Sequence, residues 1–283
     1  MSSAPYPVDL HAHTLVSDGL RTPAELVELA AGRGVLTLAL TDHDAVEGIA
    51  PARDAAARHG LELVPGVELS CDLDAREVHL LGLGIDPDAP ALRELLTRAQ
   101  ASRRKAFLRA LERLATCRVP LPEDLVERLD AQGTRALGRA HLGRALTRAG
   151  HTRSVGEAFA RFLGEGAPAR VIRERPSLEE AIEVVVAAGG LPLLAHPGGY
   201  AGSTFGVERL RQLKRLGVVG LELRHPAHKS QKIRAFREAA LELSLLVSGG
   251  SDHHGYPGDQ PPGSQGLDLE EYRPLAARLA STG

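Results

Sequence analysis

Short apolar runs that each stop at a histidine or a carboxylate recur along this chain, and that recurrence limits its fold more than any other property. Tyr6 to Leu10 leads into His11-Ala12-His13. Leu36 to Thr41 ends at Asp42-His43-Asp44, and the 61–69 region ends at Glu68. Glu77 to Leu83 alternates and carries His79, Leu191 to Ala195 runs into His196, Val218 to Leu223 into Arg224-His225, and Leu245 to Ser248 into Asp252-His253-His254. Helical patterns separate most of these runs. One spans Ala24 to Arg33, with Thr22 as its N-cap and Pro23 at its first position; another spans Ile49 to His59, stopped by Gly60. Near-continuous apolar strands alternating with helices imply a parallel sheet covered on both faces. Chemistry gathered just past strand C-terminal ends favours a closed barrel over an open sheet. The expected class is therefore α/β, a barrel of about seven strands.

The alternation stops near Asp86. Ala91 to Cys117, Pro122 to Gln132 and Arg139 to Ala149 read as helices with no strand between them, and strand–helix alternation resumes near residue 168. We therefore expect residues 1–90 and 168–283 to form the barrel and residues 91–167 to be a helical insertion capping its mouth. A tail helix is expected from about Pro274. With 283 residues the chain needs no covalent staple to build a core. Cys71 and Cys117 form no disulfide framework and no zinc motif, and the start shows no signal peptide. No run approaches the ~20 apolar residues of a membrane span. A cytoplasmic protein without membrane contact or obligatory protein partner is expected. The formal charge of −2 recruits no polyanion globally, although Ser102–Lys105 and Arg109–Arg113 make one basic helix, read chiefly as a solvated face.

In an extended strand, His11 and His13 project to the same face, and Asp18 can return a carboxylate from the following loop. Alone, such a pair is equally compatible with two hydrogen-bonded histidines. Together with His43, Glu68, His79, His196, Asp252 and His254 at other strand ends, it points to a metal site. A donor set of imidazoles and carboxylates without thiolate suits Zn, Mn or Fe. A carboxylate such as Glu68 can bridge two ions about 3.5–4 Å apart.

The motifs H-A-H-T-x-x-S-D-G, T-D-H-D, P-G-V-E-L-S, H-L-L-G, A-H-P-G and G-S-D-H-H-G, in that order, resemble those of the PHP (polymerase and histidinol phosphatase) family from residue 8 to residue 255. Within it, Gly138-Arg139-Ala140-His141, Gly164-Glu165-Gly166-x-Pro-Ala and the insertion resemble the branch that removes the 3′-phosphate of nucleoside 3′,5′-bisphosphates and includes ribonuclease AM. The resemblance implies a distorted, TIM-like (β/α)7 barrel holding two or three divalent ions. His11, His13, Glu68 and Asp252 would hold the first, Glu68 with His79 and His196 the second, and Asp18, His43 and His254 the third. The family often has an aromatic residue where this chain has His253, which leaves His253 and His254 as alternatives; alignment favours His254.

Asp42 and Asp44 flank His43 and are expected to fix its tautomer. Substrate phosphate needs further cations. Arg139 and His141 at a helix start, Arg170 after the insertion, and Arg224, His225, His228 and Lys229 past a strand end are the candidates. His228 is also the candidate proton donor to the leaving oxygen. The implied activity is metal-dependent hydrolysis of nucleoside 3′,5′-bisphosphates to 5′-monophosphates, with 5′-to-3′ trimming of short RNA. Alternatives are phosphatase action on histidinol phosphate or another small phosphomonoester, and an accessory metal-binding module of a replication or repair assembly. A C–N hydrolase on a similar barrel is disfavoured by the shortage of a candidate for a carboxylated lysine near a strand end.

Overall fold

The computed structural model describes residues 5–200 and 205–281. Its strands are β1 (Val8–Asp9), β2 (Thr37–Leu40), β3 (Glu62–Leu73), β4 (Arg76–Leu83), β5 (Leu191–Leu194), β6 (Gly220–Arg224) and β7 (Leu246–Gly249), hydrogen-bonded in sequence order. Parallel bridging of Ala12 with His253 and the bond from Leu10 N–H to Gly249 C=O bring the last strand back to the first, so the barrel is nearly closed. Alternation along each strand then sorts the apolar side chains. Leu38, Leu40, Leu80 and Leu194 belong to the layer shared with the outer helices, whereas Ala39, Leu81, Leu83 and Leu193 fill the interior.

The outer helices are α1 (Pro23–Gly32) and α2 (Ile49–His59), then, after the insertion, α7 (Leu178–Ala187), α8 (Val207–Leu216), α9 (Ser230–Leu243) and α10 (Leu269–Ala280). The Thr22–Glu25 capping box starts α1, and left-handed Gly60 ends α2. Ser177 caps α7 by accepting from the Glu180 N–H, but the Glu180 carboxylate turns outward to Arg98 rather than back to its own cap. The last helix begins one turn before Pro274, because Asp268 accepts from the Glu271 N–H and nucleates it there. Its Tyr272 and Leu275 join the interior cluster and close the floor of the barrel.

One strand departs from the parallel expectation. β4 runs antiparallel to both β3 and β5. Only Asp74 and Ala75 separate it from β3, both with positive φ (52° and 62°), the backbone of a two-residue hairpin turn. A parallel neighbour would need a crossover of roughly a dozen residues. The sequence concealed this turn, since Asp-Ala lacks the glycine that usually advertises it. The consequence is functional: His79, opposite Ser70, reaches the reactive rim from the first half of its strand.

The segment between β4 and β5 contains α3 (Pro90–Thr116), α4 (Leu125–Ala131), α5 (Arg139–Arg148), α6 (Val155–Ala158) and one turn of π-helix, Phe159–Leu163. Phe107, Leu114, Leu142, Leu146 and Phe162 give these helices a small apolar core of their own, separate from the barrel.

Arg224, expected to meet substrate, instead forms a two-toothed pair with Glu271 of α10, at 2.5 and 2.8 Å, and lies over the Tyr6 ring. The strand end turns its side chain to the outside of the barrel. Burial acts to raise Glu271, but Arg224 and Arg237 outweigh it and hold the carboxyl down at about 2. A carboxylate depressed in the folded state stabilises the fold above its free pKa and loses that contribution as pH falls toward the folded value. Solvent reaches this pair, so Arg224→Ala is expected to destabilise by only about 1 kcal/mol at pH 7. Urea melts at stepped pH should show the difference closing between pH 4.5 and about 2; a constant difference would place the loss in packing.

Candidate metal centre and anion pocket

All nine residues expected to hold metal converge on one rim. Their ligand atoms form four overlapping groups, each within 4.8 Å: His13, Asp18, His43 and His254; His11, His13 and Asp252; His11, Glu68 and His196; and His43, Glu68 and His79. Glu68 is the hub. Its Oε1 lies 2.8 Å from both His79 Nδ1 and His196 Nε2. Its Oε2 lies 2.9 Å from His43 Nδ1 and 3.3 Å from the Nε2 atoms of His11 and His13.

The donor chemistry fits cations. Glu68 Oε2, His43 Nδ1 and Asp18 Oδ1 are buried without a hydrogen-bond partner. His11 Nδ1–H donates to Glu222 at 3.0 Å, which leaves Nε2 with a lone pair aimed at His13 Nε2, 3.1 Å away. His254 Nδ1–H likewise donates to the Asp252 carbonyl and presents Nε2 to Asp18 at 3.3 Å. Lone pairs facing one another in a buried space need a positive charge between them. Burial acts to raise Asp18, Glu68 and Asp252, yet positive charge on the surrounding imidazoles, the place a cation would take, holds all three well below the carboxylate range. They remain ionised. His253 takes no part: its Nδ1 donates to the Gln260 carbonyl, away from the cluster.

The backbone holds this geometry under strain. His196 and Asp252 have φ of 27° and 51°, values that cost a non-glycine residue about 1–3 kcal/mol. Gly250 permits the approach of β7 to β1, since a Cβ there would sit 2.3 Å from His11 Cβ.

Beside the cluster, under the insertion helices, lies a cavity of about 150 Å³ bordered by Asp18, His43, His79, Phe107, Phe159 and four arginines, Arg103, Arg139, Arg170 and Arg173. Asp44 pairs with Arg103 at 2.6 Å and with Arg173 at 3.5 Å. Glu77 stands 3.5–3.8 Å from Arg173, Arg139 and Arg170. With Arg175, which stands 3.7 Å from Glu77 and 3.2 Å from Asp72, five guanidiniums share three carboxylates, an excess of two positive charges apart from the His/Asp/Glu cluster. Burial and the neighbouring Arg103 push Arg173 down to about 10, so it stays charged at neutral pH.

The PHP domain family matches residues 9–117. Over 248 residues the chain is 36% identical to the 5′-3′ exoribonuclease of Haemophilus influenzae, covering 87% of this chain and 89% of that protein. It is 34% identical over 263 residues to the 3′,5′-nucleoside bisphosphate phosphatase of Chromobacterium violaceum, covering 93% and 90%. The crystal structure of a Bifidobacterium adolescentis protein assigned as a metal-dependent phosphoesterase superposes with a TM-score of 0.90 at 30% identity, over 98% of each chain.

The chain belongs to the PHP family.

It is accordingly a phosphoesterase, a hydrolase, with a fold and a donor set suited to divalent metal. Within this PHP site several expectations need correction. Asp42 and Asp44 do not touch His43. Asp42 accepts from Thr14 N–H, Thr14 Oγ and Ser17 Oγ, while Ser17 Oγ is 3.5 Å from His13 Nδ1. It therefore fixes the loop carrying His13 and Asp18. Asp44, with positive φ (45°), turns instead toward the arginines and accepts from Ser70 N–H. His228 Nδ1 donates to the Leu223 carbonyl and its Nε2 accepts from Gly198 N–H, so it has no proton to give without breaking the fold. Burial drives His141 down to about 4, and its Nδ1 accepts from Gly138 N–H; it caps α5 as a neutral ring rather than as a cation. Arg139 and Arg170 do reach the pocket.

The sequence reading missed three residues and gave a fourth another role. Arg103 was lost in what looked like a solvated basic helix, and Arg173 in a charged loop. Glu222, fully buried, orients His11 and also accepts from His196 N–H at 2.7 Å. Its signal was present: a glutamate inside the apolar run G-L-E-L-R. His225, suggested as a phosphate ligand, instead donates from Nε2 to Asp252 Oδ2 at 3.1 Å while its Nδ1 accepts from Ala227 N–H. Because such carboxylate–histidine contacts set ligand basicity and direction, Glu222→Gln is expected to weaken metal affinity about 10–100-fold. Competition with a chromogenic chelator measures this; unchanged affinity would reduce Glu222 to a packing residue.

Proposed function

We propose that this chain hydrolyses the 3′-phosphate of nucleoside 3′,5′-bisphosphates to give the 5′-monophosphate. Two or three divalent ions would serve it, Mn, Zn or Fe. His11, His13, Glu68 and Asp252 would hold one; Glu68, His79 and His196 a second; Asp18, His43 and His254 a third. Bound there, such ions lower the pKa of water from 15.7 toward about 7 and offset charge on the phosphoryl oxygens. The names of the two relatives support the substrate class, and the two cysteines, both free, suit a reducing cytoplasm.

The observation that carries the proposal is the two-charge excess of arginine in the cavity beside the metal cluster. A substrate with a single phosphate would engage only the metals. A bisphosphate places its scissile 3′-phosphate on the cluster and its 5′-phosphate dianion on Arg139, Arg170 and their neighbours, where bidentate guanidinium geometry suits it. Phe107 and Phe159 offer apolar walls for the nucleoside. Water adds across the P–O3′ bond, hydroxyl to phosphorus and proton to the 3′ oxygen. In a 5′-phosphorylated RNA the same bond joins the first nucleotide to the rest, so trimming requires the same residues plus room beyond the scissile phosphate. Histidinol phosphate fits poorly, because its ammonium group would face the arginines.

The test is phosphate release from adenosine 3′,5′-bisphosphate, 5′-phosphorylated oligoribonucleotide and histidinol phosphate by the Mn-loaded protein. Adenosine bisphosphate should be preferred over histidinol phosphate by at least about 100-fold, the discrimination expected of ~3 kcal/mol of differential binding. Activity should vanish with chelator and return with Mn. A preference for histidinol phosphate would overturn the reading, and no turnover of any substrate by fully loaded protein would favour the accessory module.

A further inference from the structure

Beyond the cavity, on the far side of the segment 171–176, runs a larger groove of about 640 Å³. One wall is that segment; the other is a face of α3 presenting Arg98, Ser102, Lys105 and Arg109, the i, i+4, i+7, i+11 spacing of one helix stripe. The two spaces share Ala106, Val171 and Arg173 as common lining, so the groove adjoins the cavity across these three residues.

The stripe is not uniform. Ser102 Oγ donates to the Glu174 carbonyl at 2.8 Å and Arg113 Nη1 to the Arg170 carbonyl at 2.5 Å, which ties the segment to α3 at both ends. Lys105 and Arg109 lie between these ties, exposed, with no hydrogen-bond or ion-pair partner among the described residues. They stand one turn apart, about 6 Å along the helix axis. Across from them Ile172 holds its apolar side chain 81% exposed. Two unpaired cations in a groove with an exposed apolar patch, adjoining the arginine cavity, match a strand of repeating phosphates and bases.

We propose that the groove between α3 and segment 171–176 carries the downstream part of a single-stranded oligoribonucleotide, its phosphates on Lys105 and Arg109, while its terminal nucleotide occupies the cavity. This rests on the proposed reaction in one respect: the remaining strand is a substituent on the scissile phosphate and must leave the centre through an adjoining opening. It assigns trimming and bisphosphate hydrolysis to one catalytic centre and separates them by a surface that only the longer substrate uses.

The test is the charge-reversed double variant Lys105→Glu/Arg109→Glu. The control, Arg53→Glu/Arg58→Glu, makes the same change in net charge on α2. Turnover is measured with adenosine 3′,5′-bisphosphate and with a 5′-phosphorylated ten-nucleotide oligoadenylate. Binding of the fluorescein-labelled oligoadenylate is followed by anisotropy in chelator, across a salt series. The groove variant should keep kcat/KM on the bisphosphate within about twofold and lose at least about tenfold on the oligonucleotide, mostly in KM. Two lost phosphate contacts should flatten the log–log salt slope of binding by about 1.4.

An oligonucleotide loss no larger than the control's, or an equal loss on both substrates, would overturn the proposal. So would wild-type protein that cleaves the bisphosphate but neither binds nor cleaves the oligonucleotide, a result that leaves the bisphosphate reaction standing. Should the wild type cleave neither substrate yet bind the oligonucleotide through Lys105 and Arg109, the groove is upheld and the proposed reaction fails.

Discussion

Replacing Glu68 with glutamine is expected to lower kcat/KM on a phosphate ester by at least about 10³, with kcat carrying most of the loss. The change keeps the side chain's size and removes the one charge that faces five imidazoles at 2.8–3.3 Å. Its two oxygens turn to different histidines, so a single substitution weakens adjoining metal positions together. An amide presents one oxygen and one NH2 group, and the NH2 would point at imidazole lone pairs. Metal content by mass spectrometry should fall with activity, while circular dichroism should be unchanged. Full metal content and more than a tenth of the wild-type rate would show that Glu68 does not act as a bridge.

Asp44→Ala should give the largest loss of stability, about 3–5 kcal/mol, since it leaves buried Arg103 with an uncompensated charge. Asp44 is fully buried, and it holds Arg103 at 2.6 Å, Arg173 at 3.5 Å and the Ser70 N–H at 2.9 Å. For a chain of this size the melting temperature should drop by roughly 6–15 °C. Alanine also inherits a φ of 45°, which a non-glycine residue adopts only at a cost. Activity should fall beyond the stability loss, because freed Arg103 and Arg173 would no longer face the cavity in register. Phosphate should restore part of the melting temperature by replacing the missing carboxylate. Lack of any phosphate effect would indicate that the arginines do not form an anion site.

The clustering of the nine His, Asp and Glu residues was legible because most lie at, or just past, the end of a short apolar run, where backbone topology leaves little freedom. A strand that enters a barrel from one side must deliver its end to the opposite rim, so His11, His43, His196 and Asp252 meet whatever the loop details. His79 joins the cluster by a route that the sequence did not show: it comes from an antiparallel strand, and it reaches the rim because the hairpin at Asp74-Ala75 overshoots it. Arg103 and Arg224 show the reverse failure. Both are arginines in plausible places, one dismissed as part of a solvated helix and the other chosen for its position past a strand. The first is buried against Asp44, and the second is paired outside the barrel with Glu271.

What the sequence determined by itself is which side chains close the apolar runs and gather at a common rim, because strand–helix alternation makes most strands parallel and parallel strands emerge at one end; β4 alone escaped that rule. Hydrogen-bond partners obey no such rule. A side chain chooses among neighbours tens of residues away, so only the tertiary structure could decide that Asp42 serves the Thr14–Ser17 loop, that His228 is committed to backbone, and that Asp44 belongs to arginines. The anion pocket was hidden for the same reason. Its charge arises where α3, α5 and segment 171–176 close over the barrel, a proximity that appears only when the chain has folded.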